Sequence, residues 1–248
     1  MTPHEILVVR ALALGDMLCS VPFLRALRAR HPEARITLVG LPWAASFVAR
    51  FDRYVDALCP FPGWPGIPEA PYEPERTERF VAASRRRPAD LAVQAHGSGR
   101  DINGFLMALG ATARAGFHPP DASPPTDGTW LPYPTGRHEV RRLLLLADAM
   151  GADATDDRLE WPVRPDDEAE LARAVAPARL VPGAYAVVHP GASRPINRWP
   201  AARFAAVADR LAARGLAVVL TGSGAESAAA ADVAARMSAP AVDLAGRT

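Results

Sequence analysis

The chain has 248 residues, is 49% hydrophobic and carries a formal net charge of +1. That is enough for one large or two modest domains with packed cores, and it gives no reason to expect a nucleic-acid partner or an acidic tail. All 28 basic residues are arginine, so Schiff-base and P-loop lysine chemistry are excluded. Cys19 and Cys59 supply neither a disulfide framework nor zinc spacing, which fits a reducing cytoplasm. The apolar stretch from Ile6 to Leu24 is broken by Arg10 and Asp16 and lacks a basic flank, so it reads as neither signal peptide nor membrane span. Peripheral association with the inner face of the cytoplasmic membrane stays open. Arg85-Arg86-Arg87 could meet lipid phosphates, or simply form a basic helix end that complements the helix dipole.

Apolar runs alternate with helical patterns along the whole chain. Strands are expected at Ile6–Val9, Ile36–Val39, Ala57–Phe61, Leu91–Ala95 and Ala113–Phe117. Helices are expected at Met17–Arg30, Trp43–Phe51, Glu75–Arg86, Ile102–Leu109 and His138–Met150. In the first helix Leu18, Val21, Leu24 and Leu27 form one apolar face, and Pro22 falls in its opening turns. This rhythm predicts a parallel sheet covered on both faces.

Two proline-rich segments interrupt it, Pro60–Pro74 and Pro119–Pro134. Neither can be an interior strand or helix, and both are expected to be long loops. Their aromatic residues, Trp64, Tyr72, Trp130 and Tyr133, suit stacking on sugar faces or packing down on the sheet.

A connector is expected over 161–182, containing a helix around Asp166–Val175, between a first domain at 1–160 and a second at 183–248. The second alternation has strands at 185–188, 216–221 and 241–244 and helices at 201–213 and 225–237. A doubly wound domain usually has five or six strands. Three leave an edge exposed, so the natural domain is expected to continue beyond Thr248.

The turns after the strands carry the chemistry, because ligands of open α/β sheets bind at the carboxyl ends of strands. Gly15-Asp16 follows the first strand. A helix N-terminus there stabilises an ionised carboxylate, which can accept a proton from an attacking hydroxyl, or which can serve as a plain helix cap. Gln94-Ala95-His96-Gly97-Ser98-Gly99-Arg100 closes the fourth strand on the same rim. It could line an acceptor pocket, or His96 could be a buried, hydrogen-bonded strand-end histidine.

On the second domain, His189-Pro190-Gly191-Ala192-Ser193 leads to Arg194, Asn197, Arg198 and Trp199-Pro200. Glycine allows close backbone approach, the helix start favours an anion, and the arginines suit a diphosphate; an ordinary turn with solvated arginines is the alternative. Glu226, beyond Thr221-Gly222-Ser223-Gly224, could bind ribose hydroxyls or merely complement its helix. No metal site is evident; Asp156-Asp157 and Asp166-Asp167 read as turn and cap residues.

Taken together, these motifs resemble glycosyltransferase family 9, the ADP-heptose:lipopolysaccharide heptosyltransferases and their relatives. The resemblance rests on strand–Leu14-Gly15-Asp16–helix, Leu91 to Arg100, Pro190-Gly191-Ala192-Ser193, Arg198-Trp199-Pro200 and Asp243-Leu244-Ala245-Gly246-Arg247-Thr248, in the family's order and spacing. It implies a GT-B fold of two Rossmann-like domains with parallel sheets, the second incomplete here. It further implies inverting, metal-independent transfer without a cofactor, from a nucleoside-diphosphate sugar such as ADP-heptose to a lipopolysaccharide-core or other glycan or glycolipid acceptor.

The resemblance makes Asp16 the base and puts Gly15, His96, Gly97, Ser98 and Arg100 on the acceptor side. Gly191, Ser193, Arg194, Asn197, Arg198, Glu226 and Thr248 fall on the donor side. Asn197 stands where the family often has a diphosphate-binding lysine, so Arg194 or Arg198 would have to take over that charge. An Asp-Thr-Gly-x-x-His-like family motif is expected beyond Thr248. The alternatives are a sugar-nucleotide epimerase of similar architecture and a non-catalytic glycolipid-binding fragment.

Overall fold

A computed structural model describes residues 2–175, 180–192 and 194–247. The chain divides into two compact units, Met1–Pro162 and Val163–Thr248.

The first unit runs β1 Glu5–Val9, α1 Leu14–Cys19, α2 Val21–Arg30, β2 Arg35–Gly40, α3 Ala44–Arg50, β3 Ala57–Pro60, α4 Pro74–Arg86, β4 Leu91–Gln94, α5 Ile102–Ala108, β5 Ala113–His118, β6 Thr129–Pro132 and α6 Glu139–Ala149. Its six strands pair in parallel in the order β3-β2-β1-β4-β5-β6. This is the doubly wound nucleotide-binding order, in which the direction of winding reverses between β1 and β4 and a ligand crevice opens beyond their carboxyl ends.

Alternate side chains of β1 feed two cores. Ile6 and Val8 pack with Leu24, Leu27, Phe47, Leu143 and Leu146. Val9 packs on the other face with Ile102, Phe105, Leu106 and Leu109. Each fully buried apolar side chain of this size contributes roughly 1.5–3 kcal/mol.

The helix expected over Met17–Arg30 is two helices. The first starts earlier, so Gly15 and Asp16 lie inside its first turn rather than ahead of it. Pro22 has no N–H to continue the ladder from Leu18. The Ser20 N–H (3.0 Å) and hydroxyl (2.6 Å) both turn back to the Met17 carbonyl, and α2 begins afresh with Pro22 in its first turn.

The stretch 119–134 is likewise not all loop. Thr129–Pro132 forms the edge strand β6, and the edge is where a proline in a strand costs no ladder hydrogen bond. Trp64 packs edge-on against Phe105 (5.5 Å) and Tyr133 against Phe117 (5.6 Å), so these aromatics support the core, whereas Tyr72 is exposed. Residues 156–162 belong to the first unit: Glu160 pairs with Arg25 (3.3 Å) and Arg53, and Trp161 meets Phe51 edge-on under the Arg50 guanidinium.

The second unit contains α7 Pro165–Val175, β7 Tyr185–Val188, α8 Ala201–Ala212, β8 Ala217–Leu220, α9 Ser227–Arg236 and β9 Ala241–Asp243, with a parallel sheet ordered β7-β8-β9. Its core is Val188, Ala205, Ala208, Val218, Leu220, Ala230 and Val233. Trp199 and Phe204 meet edge-on at 5.2 Å across the Pro200 cap, a hydrophobic staple that fixes the start of α8. No helix among the described residues is long and apolar enough to cross a membrane.

Candidate active site

The reversal point between β1 and β4 brings together the two segments of the first domain singled out in the sequence. Asp16 sits in the first turn of α1 with Ala13, not Asp16, at the cap position, and it is exposed. Gly15 precedes it, and apart from its chain neighbours and its own helix backbone no atom lies within 4 Å of where its Cβ would be. Its φ is negative, so neither space nor backbone demands glycine there, although glycine weakens a helix by up to about 1 kcal/mol relative to alanine. Gly97 does need its glycine, since it adopts φ +61°.

Arg10 holds this rim together, and sequence reading missed it. It is fully buried at the end of β1. Its Nη2 donates to the main-chain carbonyl of Asp16 (2.7 Å), as does Nε (3.2 Å). Its Nη1 donates to the Ala95 carbonyl, and Nη2 also pairs with Glu139 Oε1 at 3.0 Å. Glu139 is shared with Arg142, whose Nη1 donates to Tyr133 Oη at 2.5 Å.

His96 is buried, and its Nδ1 accepts the Ala11 N–H (3.2 Å), which ties the β4 turn to the β1 turn. Burial, reinforced by the Arg10 charge, lowers its pKa to about 4, so the ring is neutral near pH 7. Gln94 Nε2 donates to the His96 carbonyl (2.5 Å) and Gln94 Oε1 accepts from Phe117 N–H (3.1 Å). Ser98 is half-buried, and the Arg100 guanidinium is engaged by both carboxylate oxygens of Asp121 at 2.6 and 2.8 Å on the surface.

The carboxyl ends of β7, β8 and β9 form the rim of the second unit. Glu226 Oε2 accepts from both the N–H (2.9 Å) and the hydroxyl (2.8 Å) of Ser223, one half of a capping box. These bonds hold its carboxyl below the usual range. Glu226 also lies against Gly191: a Cβ on that glycine would sit 2.2 Å from Oε1. His189 bridges the same turns, with Nδ1 3.3 Å from Thr221 Oγ1 and Nε2 3.8 Å from Glu226 Oε2.

Arg194 and Asn197 are exposed around the 3₁₀ turn Pro195–Asn197, and the exposed Arg198 donates from Nε to the Ala192 carbonyl (3.0 Å). Gly246 approaches this rim closely: its N–H bonds Gly222 O at 2.8 Å and a Cβ would meet Gly224 Cα at 3.0 Å. Ser193 and Thr248 lie outside the described residues. Among the described residues no group of three or more His, Cys, Asp or Glu could hold a metal ion.

Solved structures share this architecture. A glycosyl transferase family 9 protein of Veillonella parvula superposes with a TM-score of 0.75 at 19% identity, covering 99% of this chain and 70% of that one. The ADP-heptose lps heptosyltransferase II of E. coli gives 0.66 at 22% identity, covering 98% and 73%. The E. coli heptosyltransferase WaaC with ADP gives 0.66 at 17% identity, covering 97% and 73%. No curated protein sequence matches the chain. The family model for glycosyltransferase family 9 (heptosyltransferase) matches residues 88–248, from just before β4 through the second unit, and with it the chain belongs to that family.

Proposed function

We propose that this glycosyltransferase moves heptose from ADP-heptose to a hydroxyl of a lipopolysaccharide-core or related glycolipid acceptor, with inversion at the anomeric carbon and without a metal ion. Family membership and the ADP bound by the similar E. coli enzyme support the donor. The observation that carries the chemistry is Asp16, an exposed carboxylate in a helix first turn at the reversal point of the sheet, beside a glycine that nothing in the fold requires. That glycine leaves room for the acceptor at the carboxylate.

In this reading Asp16 takes the proton of the acceptor hydroxyl as its oxygen bonds to the anomeric carbon. The bond from that carbon to the diphosphate oxygen breaks on the opposite face, and ADP departs with the electron pair. Arg194, Arg198 and the first-turn amides of α8 stabilise the leaving charge in place of a metal. Glu226 takes the ribose hydroxyls. Gly97, Ser98 and Arg100 contribute to the acceptor side, and His96 supports them from beneath as a neutral acceptor. Arg85, Arg86 and Arg87 at the exposed end of α4 suit peripheral contact with anionic lipid.

The test is ADP release from ADP-heptose with and without a heptose-deficient lipopolysaccharide, in the presence of a chelator. Acceptor-dependent release, a product of inverted anomeric configuration and a loss of at least ~100-fold in Asp16→Asn, with its circular dichroism unchanged, are expected. Nucleotide release without a second sugar product would favour epimerisation. Acceptor binding without any release would make the chain a glycolipid-binding protein.

A further inference from the structure

We infer that Arg10 is the positioning residue of the transfer reaction, acting on Asp16 through its main-chain carbonyl; the inference rests on the reading of Asp16 as the base. A charged side chain with no exposure is costly to bury unless all its donors are used. From the end of its own strand, Arg10 makes four hydrogen bonds to three other segments of the first unit: two to the first turn of α1 at Asp16, one to the end of β4 at Ala95, and one to the first turn of α6 at Glu139. The Asp16 carbonyl is available to it for a local reason. In a longer helix the Ser20 N–H would take that carbonyl, but at this break Ser20 turns to Met17 instead. The six-residue α1 therefore has few helical bonds of its own, and the guanidinium fixes where its first turn sits.

Only a guanidinium can do this. Its planar fork reaches one carbonyl with two N–H groups and still addresses Ala95 and Glu139, whereas an ammonium is a point donor. Glu139 is itself held by Arg142, so the anchor for Arg10 does not swing freely. None of these groups touches the exposed Asp16 carboxylate by a hydrogen bond. Arg10 acts on the position of the turn.

The experiment is a double-mutant cycle on turnover, using Arg10→Lys, Asp16→Asn and the pair together, with unfolding midpoints recorded for each. Arg10→Lys is expected to lower kcat about tenfold to a hundredfold, the scale of a small misplacement of a reacting group, with donor KM unchanged. In the Asp16→Asn background it should cost nothing further, since there is no base left to misplace. Losses that multiply, or an Arg10→Lys enzyme as fast as the parent, would overturn the inference. Should Arg10→Lys not fold, Glu139→Gln takes its place. It keeps the acceptor shape but removes the charge, and its loss in kcat should likewise vanish when Asp16 is Asn. Asp16→Asn alone retaining parental turnover would instead remove the base assignment itself, a result separable from either outcome for Arg10.

Discussion

The rims of the two units are built with opposite polarity. On the first, a cation is buried and an acid is exposed: Arg10 lies beneath the turn and Asp16 stands on it. On the second, the acid is tucked in and the cations face solvent: Glu226 caps Ser223 and rests on Gly191, while Arg194 and Arg198 are exposed. Asp16 is backed by the buried Arg10 at its main-chain carbonyl, and Arg198 lies close enough to Glu226 for their charges to interact. In the proposed reaction a base is presented to a neutral hydroxyl, and a leaving diphosphate is met by cations. The two rims differ in the way those two tasks differ.

The sharpest way to break this contrast is at its first pole, where Asp16→Asn should cost the ~100-fold already given and Arg10→Lys somewhat less. Next in size is the pH response of stability through His96. Its folded pKa of about 4 lies below the ordinary 6.5, so the unfolded chain binds the proton more readily between those values. Stability is therefore fully present above pH 6.5, falls by up to about 3 kcal/mol as the pH drops to about 4, and is flat for this group below that. Thermal unfolding across pH 4–7 should show that slope, and His96→Gln should flatten it; an unchanged slope would mean that other groups produce it.

At the second pole, Gly191→Ala forces Glu226 off its seat. Overpacking of this kind costs about 1–3 kcal/mol, and Gly191→Ala with Glu226→Ala should recover part of the unfolding midpoint lost by Gly191→Ala alone. Midpoints that do not respond to Gly191→Ala would remove the Gly191–Glu226 contact from the account. The smallest effect is expected at Arg100, whose ion pair with Asp121 is on the surface and should contribute little to stability. Arg100→Ala should leave unfolding unchanged, so a rise in acceptor KM in that variant would report binding.

Much of this was legible from local pattern. Five apolar runs gave the five inner and early strands because a two-sided parallel sheet writes itself as short continuous apolar segments. Glycines marked the rims, and at Gly97 and Gly99 the turn after β4 needs them, with φ of +61° and +85°. What stayed hidden was set by distance or by small local conflicts. In the sequence Arg10 is only a break in an apolar stretch, since its partners Ala95 and Glu139 are 85 and 129 residues away. The break at Ser20 was hidden by a proline that an opening turn would tolerate, and β6 by prolines that an edge tolerates. Glu226 was legible as a carboxylate after a glycine turn, but its seat against Gly191 was not, because the two lie on neighbouring turns of different strands.

The order of strands in space also governs when the first rim can exist. β1 is made first, yet its second neighbour is β4, with Ile6 beside Leu91. Arg10 cannot complete its set of partners until Glu139 has been made, on the order of ten seconds later at ordinary rates of synthesis. During that interval the guanidinium that holds the first turn of α1 lacks its Glu139 anchor. The group proposed to carry the chemistry is thus installed among the last events in the assembly of its unit. An N-terminal fragment that stopped short of α6 would have β1 paired on both sides and still leave the arginine behind Asp16 without its carboxylate partner.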